Sequence, residues 1–225
     1  MNVEECAKSV CCPAPLYDTE GRFIFYPVAK TGHSSINRHV LKNRTIVKKD
    51  NFYQWQKVSE SFNKKNDFFA FTLVRNPYAR TLSSFLYLRD KLFLIHSKTS
   101  FEDWIVNLKL PLPISSEEYL RARDEVNFDK NAHTFPQVSS FYGTRVDFFA
   151  HTESIQKDFD YIFKKIKEPR HIIPHVNKTN KNKKWRDYYT NKAIDAVKDK
   201  YSCDFEALGY SYDIQQAKSN RKYKL

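Results

Sequence analysis

Residues 30 to 35 form a short polar segment whose side chains suit anion binding. They follow the apolar, aromatic run Arg22 to Val28 and precede apolar residues at helical spacing. The lysine supplies positive charge, the hydroxyls can donate hydrogen bonds, and the glycine lets the backbone approach a ligand closely. A strand, a polar loop and a helix in this order leave unpaired N–H groups at the helix start, which favours bound phosphate. We therefore predict a phosphate-binding loop, hereafter the Lys30 loop, formed by Lys30, Thr31, Gly32, His33, Ser34 and Ser35.

A second candidate phosphate ligand follows the apolar run Phe68 to Val74. Arg75 ends this run, Pro77 suits the first position of a helix, and Ser83 lies about two helical turns further on. An arginine offers a planar set of donors for bidentate phosphate contact, and a serine hydroxyl adds one more donor if the helix lies alongside. Arg75 and Ser83 are therefore predicted to bind a second phosphate; the alternative is that Arg75 pairs with a surface carboxylate and Ser83 is an ordinary helix residue.

The two segments differ from those of a nucleotide triphosphatase. A Walker A loop places its lysine after the last glycine, whereas Lys30 precedes Gly32. The second strand ends in Arg75, where a Walker B strand would offer an aspartate to the metal. This pattern favours a phosphate ligand held without a metal ion.

The elements that must position these residues alternate between strand and helix. Predicted strands are Arg22 to Val28, Phe68 to Val74, Val146 to Ala150 and His171 to Ile173. Predicted helices are Ser35 to Leu41, one from Pro77, one capped by Ser100, Glu117 to Asp124, Glu153 to Ile166 capped by Thr152, and about Asn191 to Leu208 ending at Gly209. We predict an α/β, P-loop-like three-layer fold with a central, mostly parallel sheet and helices on both faces.

Composition limits the classes of protein without choosing among them. The chain has 225 residues with 41% hydrophobic content, which suits a single domain over 1–225, with an N-terminal extension at 1–21 and a C-terminal tail at 211–225 whose end is expected to fray. Its formal net charge of +12 favours an anionic ligand, whether a nucleotide, a sulfated sugar, nucleic acid or an acidic membrane.

Cysteine usage and the N-terminal segment bear on localisation. Cys6, Cys11, Cys12 and Cys203 have no metal-site spacing, so free thiols are expected, with a bridge from Cys6 or Cys11 to Cys203 as the alternative in a secreted protein. The N-terminus lacks a signal-peptide pattern, and no apolar run is long enough to span a membrane. We expect a cytoplasmic protein, or a Golgi-lumen one if a membrane anchor precedes Met1.

The spacing P-x-x-K-T-G-x-S-S followed by V-R-N-P-x-x-R-x-x-S resembles the 5′-phosphosulfate loop and the 3′-phosphate motif of the sulfotransferase superfamily. Further motifs resemble the carbohydrate sulfotransferase branch, family 2, which includes the chondroitin and dermatan enzymes. In family order these are His133-x-x-Pro136-Gln137, Val146-Asp147-Phe148-Phe149 with Glu153, Asn177-Lys178-Thr179, Tyr201-x-x-Asp204-Phe205 and Gly209-Tyr210.

The resemblance implies transfer of a sulfuryl group from 3′-phosphoadenosine-5′-phosphosulfate (PAPS) to a hydroxyl of a carbohydrate. The positive net charge of the chain is compatible with an acidic carbohydrate. Lys30 would neutralise the leaving oxygen, and Arg75 with Ser83 would hold the 3′-phosphate. His133 would be the general base, with His33 as the alternative base or a donor contact. Lys178 would reach the donor or acceptor from a basic loop. No metal and no nucleic acid partner are expected.

Two other classes of function remain compatible with the sequence. One is a nucleotide kinase or NTPase with an atypical P-loop, for which dependence on Mg²⁺ would be diagnostic. The other is a non-enzymatic binder of polyanions that uses the charge of +12 alone, with binding that falls steeply as salt rises. The identity of the acceptor and the oligomeric state stay open.

Overall fold

The computed structural model describes residues 15–18, 23–39, 41, 46–48, 68–110, 133–141, 144–174, 184–216 and 218–223. Five strands lie in these ranges: β1 (Leu16–Asp18), β2 (Phe23–Tyr26), β3 (Ile46–Lys48), β4 (Phe69–Val74) and β5 (Phe148–His151). They form one sheet in the order β3-β1-β2-β4-β5.

One half of the sheet is parallel and the other half is antiparallel. β2 pairs in parallel with β4, and β4 with β5, so that Phe25 lies opposite Phe71 and Phe71 opposite Phe148. β1 pairs antiparallel with both β2 and β3. β2, β4 and β5 correspond to three of the predicted strands, whereas β1 and β3 were not predicted.

Six α-helices lie in the described ranges: α1 (His33–His39), α2 (Pro77–Asp90), α3 (Phe101–Asn107), α4 (Ile155–Lys165), α5 (Asn191–Lys200) and α6 (Ser202–Leu208). Pro77 is the first residue of α2, and the Asn76 side chain accepts hydrogen bonds from the first turn. Ser100 caps α3 as predicted. Gly209 ends α6 with φ 66°, a left-handed conformation that glycine adopts without strain.

Helices cover both faces of the sheet. Alternate residues of a strand point to opposite faces, and in β2 Ile24 and Tyr26 belong to one apolar cluster while Phe23 and Phe25 belong to the other. The first cluster includes buried residues of α2, α3, α5 and α6. The second includes Ile36 of α1 and three apolar residues of α4. The three-layer α/β arrangement predicted from the sequence is therefore confirmed.

The segment His171 to Ile173 is not a strand. Its backbone is held instead by the Gln156 side chain, whose Nε2 donates to the His171 carbonyl at 3.0 Å and whose Oε1 accepts from the Ile173 N–H at 3.0 Å. The Gln156 amide thus makes the backbone hydrogen bonds that a neighbouring strand would make if this segment were a strand. The predicted helix Glu117 to Asp124 lies outside the described residues.

Two other predicted helices differ in their ends. Thr152 does not cap α4, which begins only at Ile155, because residues Thr152–Ser154 form a 3₁₀ turn. The Thr152 hydroxyl donates instead to the Thr31 carbonyl at 2.7 Å. The last predicted helix is divided at Tyr201 into α5 and α6.

The cysteine and C-terminal expectations also change. Cys203 is disulfide-bonded, so the expectation of a free thiol is wrong for this residue.

Arg221 and Tyr223, from the end expected to fray, have defined contacts: Arg221 hydrogen-bonds Asp158, and the Tyr223 ring stacks on Phe149. Within the described ranges, no helix has the length and apolar character needed to span a membrane.

Candidate active site

The Lys30 loop and Arg75 follow neighbouring parallel strands and therefore meet at one edge of the sheet. β2 ends at Tyr26 and β4 ends at Val74. The Arg75 guanidinium Nη1 donates to the Lys30 carbonyl at 3.1 Å. The two predicted phosphate-binding segments are in direct contact.

Internal hydrogen bonds hold the Lys30 loop in a sharply turned conformation. Lys30 has φ 67° and Gly32 has φ 102°, which is unfavourable for the lysine and easy for the glycine. The Thr31 hydroxyl and the His33 Nδ1 each lie 2.9 Å from the Val28 carbonyl. Since the Thr31 hydroxyl is fully buried and uses its hydrogen on Val28, its first role is to shape the loop.

The Lys30 side chain extends to an aromatic ring. Its Nζ lies 3.7 Å from the centroid of Tyr87, a residue of α2. Burial, together with the positive charges of Arg75 and Arg80, lowers the pKa of Lys30 to about 8. Among the described residues, no carboxylate pairs with this ammonium. Three cations close together, of which Lys30 has no carboxylate partner among the described residues, make this position attractive for an anion.

The end of β4 is held by residues distant in sequence. Gln137 accepts from the Arg75 N–H at 2.9 Å and donates to the Arg75 carbonyl at 2.8 Å. Asp204 in α6 accepts from the Gln137 N–H at 2.9 Å. Glu153 accepts from the Asn76 N–H at 2.7 Å. Burial lowers the pKa of Arg75, and the Glu153 carboxylate opposes this shift.

Arg80 is a buried structural cation beneath the Lys30 loop. Its Nε donates to the Ala29 carbonyl at 3.0 Å and its Nη2 to the Phe135 carbonyl at 2.7 Å. Burial lowers its pKa, and the Asp204 carboxylate opposes the shift. Arg80 thus connects the segment after β2 with the segment that carries His133.

His133 lies against α2, next to Ser84 and Tyr87. Ser84 in α2 donates to the His133 carbonyl at 2.7 Å, and the His133 and Tyr87 rings meet edge to face with centroids 4.8 Å apart. Its buried Nδ1 has no hydrogen-bond partner among the described residues. Burial and the charge of Lys30, with smaller contributions from Arg80 and His33, lower the pKa of His133 to about 3. The imidazole is therefore neutral at physiological pH.

The remaining predicted ligands differ in their exposure and in their hydrogen bonds. Ser83 is partly buried and lies three residues after Arg80 and four before Tyr87, which places it on the same face of α2. Ser34 is exposed, and the Ser35 N–H donates to the Gly32 carbonyl at 3.0 Å. Lys178 lies outside the described residues.

Sequence reasoning assigned no role to several residues that build the site. Tyr87 and Ser84 carried no motif signal, but their spacing of four residues from Ser83 and Arg80 would place them on the face of α2 that meets the loop. Arg80, Gln137, Glu153 and Asp204 were part of the quoted motifs without a function. Among the residues that the structure describes, no group of three or more His, Cys, Asp or Glu side chains could hold a metal ion.

The comparisons with known proteins give one match. The family model Sulfotransfer_2, which describes the sulfotransferase family, matches residues 16–211. No curated protein and no solved structure matches the chain. The family match spans the Lys30 loop, the end of β4, the His133 segment and α6, in the order in which the motifs resemble those of the family. Because it covers most of the sequence, the chain belongs to the sulfotransferase family.

Proposed function

We propose that this sulfotransferase uses PAPS as its donor and transfers the sulfuryl group to a carbohydrate hydroxyl. The observation that carries the proposal is the contact between Arg75 and the Lys30 loop, which brings two cationic segments together at the carboxyl ends of β2 and β4. Ligands of open α/β sheets bind at this edge. A donor with phosphates at both its 5′ and 3′ positions matches two adjacent sites for phosphate.

The chain's own residues then have distinct tasks. PAPS, when bound, supplies a sulfuryl group on an activated phosphate. Lys30 and the N–H groups at the start of α1 stabilise the charge that develops on the phosphate oxygen as its bond to sulfur breaks. Arg75 and Ser83 orient the donor through its 3′-phosphate. The fit follows from the charges. Burial, with added repulsion from Arg75 and Arg80, lowers the pKa of Lys30, and a bound anion would relieve that repulsion.

His133 is proposed to activate the acceptor. As the new bond between sulfur and the acceptor oxygen forms, the hydroxyl proton passes to the imidazole of His133. The neutral state of the imidazole at physiological pH leaves it able to accept this proton. A bound anion would raise the pKa of His133 from its low value and make it a stronger base.

The proposal extends to the acceptor class and the compartment. The motif resemblance to chondroitin and dermatan enzymes and the net charge of +12 support an acidic carbohydrate. The disulfide at Cys203 favours the oxidising Golgi lumen over the cytoplasm.

The donor is tested by thermal shift and by transfer of labelled sulfate. We expect 3′,5′-ADP without metal to raise the melting temperature more than ATP with Mg²⁺, since a ligand specific for the native state stabilises it. Lys30→Ala and Arg75→Ala should each abolish PAPS-dependent labelling of desulfated chondroitin or dermatan, while Lys157→Ala and Arg170→Ala, two exposed cations, should retain it. A stronger response to ATP with Mg²⁺ would indicate a nucleotide kinase, and unchanged turnover in both site variants would refute the donor assignment.

A further inference from the structure

One aromatic ring contacts both side chains to which we assign chemistry. Tyr87 lies in α2, and the Lys30 ammonium sits 3.7 Å from the centroid of its ring. The His133 ring approaches the same ring edge to face, with centroids 4.8 Å apart and an angle of 70° between the planes. Tyr87 therefore touches one residue from the loop after β2 and one from the segment that precedes Gln137.

The contact with Lys30 is of the cation–π type. The face of an aromatic ring carries negative charge density and attracts an ammonium group, most strongly where water is excluded. The Lys30 side chain is partly buried, and this burial is the main reason for its lowered pKa. The charged or titratable groups around the ammonium are Arg75, Arg80, His33 and His133. All of these are cationic or neutral, so the Tyr87 ring is the attractive contact.

We propose that Tyr87 is a positioning residue, which fixes the Lys30 ammonium and the His133 imidazole at the relative placement that sulfuryl transfer requires. This inference rests on the proposed function. A lysine side chain has four rotatable bonds, and holding its end in one place removes motions that would otherwise separate it from the leaving oxygen. Edge contact with the same ring restricts the imidazole. Tyr87 thereby holds both the ammonium that stabilises the leaving oxygen and the imidazole that accepts the proton of the acceptor.

The first test replaces the ring. Tyr87→Leu should lower kcat by about tenfold or more and change the KM for PAPS by less than about threefold, because the phosphate contacts of Arg75 remain. Tyr87→Phe retains the ring and should recover most of the lost rate. The alkaline limb of the kcat/KM profile should move to lower pH in Tyr87→Leu and not in Tyr87→Phe, since the charged form of Lys30 loses its aromatic contact.

A second test keeps the volume of the side chain. Phenylalanine, 4-fluorophenylalanine and 3,4,5-trifluorophenylalanine placed at position 87 weaken the negative ring face in steps while changing its shape little. We expect kcat to fall along this series. Since these variants retain the packing of Tyr87, they decide the question even if Tyr87→Leu folds poorly. A constant kcat along the series would overturn the role in holding Lys30.

Tyr161 offers a matched control. It forms a second lysine–tyrosine contact, with the Lys165 Nζ 5.5 Å from its ring, on the exposed side of α4. Tyr161→Leu should leave kcat and the pH profile unchanged. If wild-type protein transfers no sulfate from PAPS, the proposed function is wrong. If wild-type transfers sulfate and Tyr87→Leu matches it, the proposed function stands and the inference about Tyr87 fails.

Discussion

The Lys30 ammonium lies in a position that is unfavourable for its charge in the folded chain and that a bound anion would improve. Two arginines lie near it, and its compensation among the described residues is an aromatic ring and not a carboxylate. The left-handed backbone of Lys30 adds strain of about 1 to 3 kcal/mol. Unfavourable features of this kind gather at functional sites, because an ideal local arrangement would leave nothing for the ligand to improve.

Replacing Lys30 should therefore stabilise the protein in the absence of donor. Lys30→Met removes the buried charge and should raise the melting temperature by roughly 3 to 6 °C at pH 7, equivalent to about 1 to 2 kcal/mol. The same variant should lose PAPS-dependent transfer. Differential scanning calorimetry without ligand measures the first effect, and Lys157→Met, an exposed lysine of α4, should show no gain.

The pH dependence of this gain follows from the direction of the pKa shift. The pKa of Lys30 falls from 10.5 to about 8 on folding, so between these values the unfolded chain binds more protons. The destabilising effect of Lys30 is fully present below about pH 8 and disappears as the pH rises toward 10.5. The advantage of Lys30→Met should shrink over the same interval. An advantage that grows above pH 8 would contradict the buried charge.

The activity of the free enzyme should show an unusual pH profile. With the pKa of His133 lowered to about 3 and that of Lys30 to about 8, kcat/KM should stay level from about pH 5 to pH 7.5 and fall above pH 8 as Lys30 loses its charge. Initial rates at low PAPS concentration measure this profile. A fall in kcat/KM below about pH 6.5 that is absent in His133→Gln would contradict this prediction, because it would mean that the pKa of His133 is not lowered.

At the scale of elements, the strand ends are positioned by side chains that reach across the fold. Asp204 of α6 holds Gln137, and the Gln137 amide holds both backbone groups of Arg75. Tyr210 donates to Glu153, which holds the Asn76 N–H. These motif residues fix the backbone from which Arg75 extends.

Gln137→Leu tests this positioning. The change leaves the Arg75 N–H and carbonyl without partners, which costs about 1 to 3 kcal/mol for each buried group, and it should weaken 3′,5′-ADP binding by about tenfold. Calorimetric titration measures the affinity. Gln156→Leu is the matched control, because Gln156 also holds an N–H and a carbonyl, but those of Ile173 and His171. It should lower stability and leave 3′,5′-ADP affinity within twofold, whereas equal losses in both variants would indicate a general effect of instability.

Local patterns predicted the parallel strands and the two polar segments that meet at their ends, but not how these are held. β2 and β4 are continuous apolar runs, and Pro77 and Ser100 mark helix starts by their own chemistry. β1 and β3 have three residues each, too few to show a period. Gln156 and Thr152 escaped prediction because their hydrogen-bond partners are defined only by the tertiary fold.

At the scale of the whole molecule, the C-terminal tail packs against β5 and the turn that follows it. The family match ends at residue 211, and the chain continues from there across α6. The Asn220 N–H donates to the Gly209 carbonyl at 2.9 Å, and the Tyr223 ring stacks on Phe149 of β5 at 4.3 Å. Arg221 reaches Ser154, which follows Glu153 in the chain. The tail therefore bears on the 3₁₀ turn that supports the end of β4.

The pair of Arg221 and Asp158 is the main polar contact of the C-terminal tail. Burial alone would raise the pKa of Asp158, but hydrogen bonds from His151, Arg221 and Ser154 outweigh it and lower the pKa to about 2. Because this value lies below the ordinary 3.8, the carboxylate stabilises the fold above about pH 4, and this contribution is lost as the pH falls toward 2.

Arg221→Gln should destabilise the protein by about 1 to 2 kcal/mol at pH 7, because a carboxylate that is 3% exposed loses its cationic partner while its other donors remain. Urea unfolding measures this loss, which should diminish at about pH 3 as Asp158 in the variant becomes protonated. The 3′,5′-ADP affinity should also fall, since Thr152 and Glu153 lie in the turn that the tail supports. Lys222→Gln, at the exposed neighbouring position, should change neither quantity. If Arg221→Gln lowers stability and leaves nucleotide affinity intact, the tail stabilises the fold without acting on the site.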